Sequence, residues 1–84
     1  MTTMLAGFTH GQSAATKLVV KGGFVYFKPP YWNEWFYETV ATIPVSDRRW
    51  YRNVKVWAFR VEHRDAVAKL VREAFCSEPE QEER

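Results

Sequence analysis

Apolar and polar positions alternate in two parts of the chain, and a period of two is typical of β-strands. The first part, KLVVKGGFVYFK (17–28), contains Gly22-Gly23, a dipeptide that favours a tight hairpin turn. We therefore predict two short strands that are joined at these glycines. Alternate residues of the second strand share one face: Phe24, Tyr26 and Lys28.

The second alternating part comprises RRWY (48–51) and KVWAFRV (55–61). It predicts an antiparallel pair of strands that turns near Arg52-Asn53. Alternation places Lys55 and Arg60 on opposite faces of the second strand. The cations of this region therefore cannot all lie on one face of a sheet, and we expect them to gather along an edge and at the turn.

Two other segments repeat their apolar residues every three or four positions, which is the spacing of a helix face. In YWNEWFYETVATI (31–43), Asn33 is placed to cap the helix, Glu34 suits the positive end of its dipole, and Pro44 follows its end. The repeat is clearest in the last segment, where it predicts an amphipathic helix with five apolar residues on one face: Val67, Leu70, Val71, Ala74 and Phe75.

The predicted order is strand, strand, helix, strand, strand, helix. The simplest architecture for this order is an α+β fold in which both helices pack on one face of a small, mostly antiparallel sheet. Residues 1–15 are small and polar without a period, and we expect a flexible arm. The acidic end, SEPEQEER (77–84), predicts a disordered tail, so residues 16–76 form the single expected domain.

Charge is distributed unevenly along the 84 residues, although the formal net charge is only +2. The last eight residues hold four glutamates and one arginine, whereas residues 1–76 hold 11 Lys or Arg against six Asp or Glu. A basic body with an acidic end occurs in proteins that meet polyanions. A single cysteine, no export signal and no long apolar run lead us to expect a cytoplasmic protein without membrane contact.

Residues 24–75 resemble the HARP domain, an accessory domain of annealing helicases. VYFKPPYWNEWFYETVATIP is followed by RRWYRNVKVWAF and an amphipathic helix, which is the order of that family's motifs. The positions that match the family pattern are Pro29, Pro30, Tyr31, Ile43, Pro44, Arg49, Trp50, Lys55, Trp57 and Phe59. The resemblance implies a HARP-like domain, here as a free-standing copy, that recognises single-stranded or branched DNA.

Three departures limit what this resemblance implies. The linker after Ile43-Pro44 is VSDR instead of a shorter one with glycine, residues 51–53 replace an Asp-Pro turn, and Trp32 replaces a capping serine. The chain also has no phosphate-binding loop of the form G-x-x-x-x-G-K-[ST]. Helicase or ATPase activity is therefore not implied, and only the accessory role is.

Candidate catalytic and metal-binding residues are few. His10, His63 and Cys76 show no ligand spacing, so we expect no metal and no cofactor. Glu34 and Glu38 are four residues apart on one helix face, which is more typical of a solvated surface than of acid–base chemistry. We therefore expect a protein that is not an enzyme.

The mixture of rings and cations at residues 48–60 favours a nucleic-acid interface. We expect Trp50 and Trp57 in the core, because large rings are what a small domain uses to build one. The remaining cations and Tyr51 would face solvent and contact a sugar–phosphate backbone by shape, without reading base edges. The predicted nucleic-acid-binding residues are Lys28, Arg48, Arg49, Tyr51, Arg52, Lys55 and Arg60.

An alternative function is protein interaction through the first helix. Residues 31–37, YWNEWFY, contain more rings than one core-facing stripe holds, and exposed rings on a small domain mark interaction surfaces. The candidate residues are Trp32, Trp35 and Tyr37, with Trp32 and Tyr37 on opposite sides of the core-facing stripe. The partner would be another protein, for example a host protein if the chain is encoded by a phage or mobile element, or a second copy of this chain. Residues 1–15 folding back over Trp35 would instead keep the protein monomeric.

Overall fold

The computed structural model describes residues 15–84. The predicted flexible arm, residues 1–15, lies outside the described residues except for its last position. The described chain forms two helices and five strands: β1 (Lys17–Lys21), β2 (Phe24–Phe27), α1 (Glu34–Val40), β3 (Arg48–Tyr51), β4 (Val56–Arg60), α2 (Arg64–Phe75) and β5 (Glu80–Glu83). The α+β class is confirmed, with one strand more than the sequence predicted.

The two predicted strand pairs form as antiparallel hairpins. β1 and β2 are joined by Gly22 and Gly23, whose φ angles of +61° and +83° lie in the left-handed region that glycine adopts without strain. β4 pairs with both β2 and β3, which joins the two hairpins into one sheet in the order β3-β4-β2-β1-β5.

The fifth strand corrects the prediction of a disordered acidic tail. β5 pairs with β1 in parallel, with Lys17 opposite Glu80 and Val19 opposite Glu82. Its carboxylates have cationic partners, because Lys17 forms an ion pair with Glu82 and Arg64 forms one with Glu83. The glutamates therefore stabilise the position of the strand, and the sheet is mixed.

The first helix is shorter than the predicted 31–43. Asn33 caps it as expected, since its side-chain oxygen accepts a hydrogen bond from the Phe36 N–H at 2.8 Å. The Asn33 amide nitrogen also donates to the Ala74 carbonyl at 3.0 Å, which joins the start of α1 to the last turn of α2. The Asn33 side chain thus links the beginning of α1 to the end of α2.

Both helices pack on one face of the sheet, as predicted. Phe36 and Val40 of α1 belong to the same buried cluster as the apolar face of α2 and the sheet residues below them. The sheet contributes five buried side chains to this cluster: Leu18, Val25, Phe27, Trp57 and Phe59. Neither described helix has the length and apolar character that crossing a membrane requires.

The two tryptophans of the β3–β4 hairpin differ in burial. Trp57 is 7% exposed and belongs to the core, as predicted. Trp50 lies directly opposite Trp57 but is 37% exposed, so its assignment to the core is wrong. The physical reason is that β3 is the edge strand of the sheet, and a side chain at an edge has neighbours on one side only.

Candidate nucleic-acid interface

The sheet has a second face on which neither of the helices described in residues 15–84 lies, and we call it the uncovered face. Strand register assigns its residues, because side chains directly opposite each other across a ladder share a face. Arg49 lies opposite Ala58, Tyr51 opposite Val56, and Phe24 opposite Arg60. The uncovered face of strands β3, β4 and β2 therefore carries two arginines and three rings: Arg49, Arg60, Phe24, Tyr26 and Tyr51.

Each of the two arginines lies over an aromatic ring. The Arg49 guanidinium is 6.0 Å from the centre of the Tyr51 ring, and the Arg60 guanidinium is 5.9 Å from the centre of the Phe24 ring. Both rings are exposed. A planar cation beside a ring can stack on a base and also bind a phosphate, so each pair offers the two contacts that a nucleotide needs.

Between these pairs lies a depression of about 390 Å³, which we call the arginine concavity. Its rim includes the 3₁₀ turn Val45–Asp47, which directly precedes β3. Three arginines and one aspartate line it, so its lining carries a net charge of +2. The lining residues are Phe24, Val45, Ser46, Asp47, Arg48, Arg49, Tyr51, Ala58 and Arg60.

The aspartate of this concavity is engaged by neighbouring groups. Its carboxylate lies 2.9 Å from the His63 Nε2 and 3.9 Å from the Arg60 Nε. The hydrogen bond with His63, together with the charges of His63 and Arg60, lowers the pKa of Asp47 below its usual value. Asp47 is therefore ionised at neutral pH, and it partly neutralises Arg60.

Arg49 and Arg60 differ in their contacts with carboxylates. Arg60 lies within 4 Å of two carboxylates, those of Asp47 and Glu62. Among residues 15–84, Arg49 has no ion pair, and its contact is the Tyr51 ring. Arg49 is therefore the arginine of the concavity whose charge is most available to an anion.

The other predicted nucleic-acid-binding residues lie in two places. Arg48 begins β3, and its Nε donates to the Ile43 carbonyl at 2.8 Å, which fixes the chain at the rim of the arginine concavity. Arg52 and Lys55 are exposed on the β3–β4 turn. The Lys28 ammonium donates to the Val54 carbonyl of the same turn at 3.3 Å. The structure thus places these cations at the uncovered face and at one turn. The turn group is as expected, whereas Arg60 lies on the interior strand β4 and not along an edge.

A second depression, of about 300 Å³, lies beside Trp50, and we call it the tryptophan groove. Within it the Trp32 ring stacks on the Tyr37 ring, with centres 4.2 Å apart and planes 26° from parallel. The prediction that these two rings point to opposite sides is wrong, because Trp32 precedes the helix and folds back over it. The lining residues are Pro29, Pro30, Tyr31, Trp32, Tyr37, Trp50 and Lys55.

The three predicted protein-interaction residues therefore lie in two different places. Trp32 and Tyr37 line the tryptophan groove, and Trp32 is 68% exposed. Trp35 is 45% exposed and lines neither depression. Trp35 therefore lies outside both depressions and stays, like Trp32 and Tyr37, a candidate for contact with a protein.

Sequence reasoning did not select Phe24 of the arginine concavity or Trp50 of the tryptophan groove. Phe24 pairs with Arg60 on the uncovered face, and the alternation that places Phe24 with Tyr26 and Lys28 was a usable signal. Trp50 lines the tryptophan groove instead of the core, and the sequence contains no signal that β3 is an edge strand. Cys76, which follows the buried Phe75, is exposed.

Other chemistry has little support in the described part of the chain. Residues 15–84 contain no group of three or more His, Cys, Asp or Glu side chains that is arranged to hold a metal ion. Comparison with protein-family models, with curated proteins and with solved structures finds no match. The interpretation of the two depressions therefore depends on their own geometry and charge.

Proposed function

We propose that this chain is a non-enzymatic module that binds single-stranded or branched DNA on the uncovered face of its sheet. The observation that carries this proposal is the pair of arginine–ring contacts, Arg49 with Tyr51 and Arg60 with Phe24, beside a concavity with a lining charge of +2. Arginine binds phosphate oxygens through a planar set of donors, and exposed rings stack on bases of any sequence.

The arrangement favours a single strand over a duplex. Rings that lie on a sheet face stack only on bases that are unpaired and exposed, whereas bases inside a duplex are already stacked on one another. Both described helices pack on the opposite face of the sheet, so neither belongs to the site proposed here. Binding would therefore depend on strand type and shape, with little discrimination between sequences.

The resemblance of residues 24–75 to the HARP domain supports the same class of ligand, and we propose that this chain is a relative of that domain. Two of the matching positions, Arg49 and Trp50, are adjacent on β3 and lie on opposite faces of the sheet. The same stretch of sequence thus supplies the cation of the arginine concavity and a ring of the tryptophan groove.

Replacement of Arg49 by alanine tests the site. We expect Arg49→Ala to weaken binding to oligonucleotides of all sequences alike, and to make the slope of log K against log salt shallower by about 0.7 for each lost phosphate contact. Lys69→Ala is the matched control, since Lys69 is an exposed cation on α2 and lines neither depression.

The double variant Arg52→Ala/Lys55→Ala separates the concavity from the turn. If Arg49→Ala folds and binds as the parent does while the double variant binds weakly, the site is the β3–β4 turn and the arginine concavity is not involved. If neither variant changes affinity or salt slope, the basic region of residues 48–60 is not the interface.

A second candidate function is self-association through α1. The observation that favours it is Trp35, which is 45% exposed and has no aromatic contact within 15–84. A two-fold contact would bury each Trp35 against its partner copy, which is the commonest arrangement in soluble homo-oligomers. Sedimentation over micromolar concentrations would then give a dimer for the parent and a monomer for Trp35→Glu, and a monomeric parent would refute the idea.

A further inference from the structure

The tryptophan groove lies next to the arginine concavity, and the two are separated by one strand. Arg49 and Tyr51 of β3 line the concavity on the uncovered face, whereas Trp50, between them in sequence, lines the groove on the other side. β3 is an edge strand, so no further strand lies beside it in the described sheet. A flexible polymer held by Arg49 can therefore pass over this edge and reach the groove.

Resting on the function proposed above, we propose that the tryptophan groove binds one unpaired base of the same DNA strand. The groove volume of about 300 Å³ lies at the lower end of ligand sites, about 300–1,000 Å³, and suits a group as small as a base. The bound base would stack against Trp32, whose other face is occupied by Tyr37. Trp50 would form part of the opposite lining.

The charges of the groove favour an anionic ligand, such as a nucleotide, over a basic peptide segment. Lys55 is the one charged side chain of the lining, and no carboxylate belongs to it. Lys55 has no ion pair among the described residues and is next to Val54, whose carbonyl is held by Lys28. The phosphate of the bound nucleotide would thus meet one or two cations and no carboxylate of the lining.

The geometry of the stacked pair also suits a base. Tyr37 is fixed from below by edge contacts with Phe36 at 6.0 Å and with Trp57 at 6.0 Å. Trp32 lies on Tyr37 and is 68% exposed, so its outer face is presented to solvent by a rigid support. A preorganised ring stacks on a ligand with little loss of side-chain entropy, which is the property that base-stacking platforms share.

The experiment measures affinity for oligothymidylate of about 12 nucleotides, a length within the range that single-strand-binding folds cover. Trp32→Ala is the test variant, because its side chain lies outside the core and its loss leaves the buried cluster intact. We expect binding to weaken about 5- to 100-fold, since a stacked base loses that much on alanine substitution. The salt slope should stay unchanged, because stacking releases no counterions.

Two controls make the result specific. Trp35→Ala removes an exposed ring of the same helix region that does not line the groove, and it should bind as the parent does. An oligonucleotide of the same length with abasic sites throughout should bind the parent and Trp32→Ala equally, because it has no base to stack. A difference between parent and Trp32→Ala on normal strands alone would support base binding in the groove.

The following results would contradict base binding in the tryptophan groove. If Trp32→Ala binds oligothymidylate as tightly as the parent, or loses the same factor on abasic strands, the groove holds no base and is left to a protein partner. If the parent binds strands in an Arg49-dependent way and Trp32→Ala is neutral, the inference about the groove fails alone. If the parent binds no oligonucleotide, the proposed function fails with it.

Discussion

Truncation of Trp57 tests the description of the core, because this ring joins the sheet to the first helix. Trp57 is 7% exposed, and its ring centre lies 5.8 Å from Phe59, 6.0 Å from Tyr37 and 5.2 Å from Trp50. Trp57→Ala removes these contacts and leaves a cavity, at a cost of about 3–5 kcal/mol. A domain of this size has a total stability of about 4–13 kcal/mol, so this loss removes from about a quarter to all of it.

Thermal denaturation followed by circular dichroism measures the effect. Since about 1 kcal/mol corresponds to about 4–8 °C in a domain of this size, Trp57→Ala should lower Tm by roughly 12–40 °C. Trp35→Ala is the control for loss of a ring in itself, and it should change stability by no more than about 0.5 kcal/mol. A Trp57→Ala protein that melts within a few degrees of the parent would show that Trp57 is not a core residue.

Trp57→Phe distinguishes packing from hydrogen bonding at this position. The buried Nε1–H of Trp57 has no hydrogen-bond partner among the described residues, and such a donor costs about 1–3 kcal/mol. Phenylalanine removes that donor and also two carbon atoms of buried surface, at about 0.8 kcal/mol for each. The two effects offset each other, so Trp57→Phe should lie within about 1 kcal/mol of the parent and far above Trp57→Ala.

Three further predictions concern the caps, the fifth strand and the glycine turn. Asn33→Ala should destabilise the domain by about 1–2 kcal/mol in urea denaturation, and Asn33→Asp should recover only part of this, because aspartate keeps the cap on Phe36 but cannot donate to Ala74. Hydrogen bonds from Arg84 and Lys17 lower the pKa of Glu82 from 4.5 to about 2. Because this pKa is depressed in the folded state, the stabilisation is present above pH 4.5 and is lost as pH falls towards 2. The NMR signal of the Glu82 side-chain carboxyl in the parent should therefore titrate near pH 2, and a midpoint near 4.5 would contradict the ion pairs of this residue. Gly23→Ala, at a φ of +83°, should lower Tm, whereas Ala66→Gly, at an exposed α2 position, should cost only about 1 kcal/mol.

Local patterns were sufficient to predict the hairpins, the amphipathic α2 and the α+β class. Each of these depends on residues that are close in sequence, such as Gly22-Gly23 or the apolar face that contains Val67 and Phe75. Position along the chain carries little information about which elements meet in space. β5 pairs with β1 although the two strands lie near opposite ends of the described chain. The four residues of β5, EQEE, show no alternation of apolar and polar residues that would predict a strand.

The site was predictable in part for the same reason. Alternation placed Arg49 and Tyr51 outward, and the structure adds Phe24 from a strand two positions away in the sheet. The exposure of Trp50 follows from the position of β3 at the edge, which is decided by the strand order and not by the sequence around Trp50. The stack of Trp32 on Tyr37 follows from the start of α1 at Glu34, because Trp32 lies before the helix and does not follow the helical path.

A titration of the parent protein with labelled single-stranded, forked and duplex DNA at two salt concentrations tests the central claim most directly. The uncovered face, with Arg49 and Arg60 beside exposed rings, should bind single-stranded and forked DNA more tightly than duplex, with an affinity that falls as salt rises. Absence of binding at the lower salt, or equal affinity for duplex and single strand, would contradict the assignment of this face as a single-strand interface.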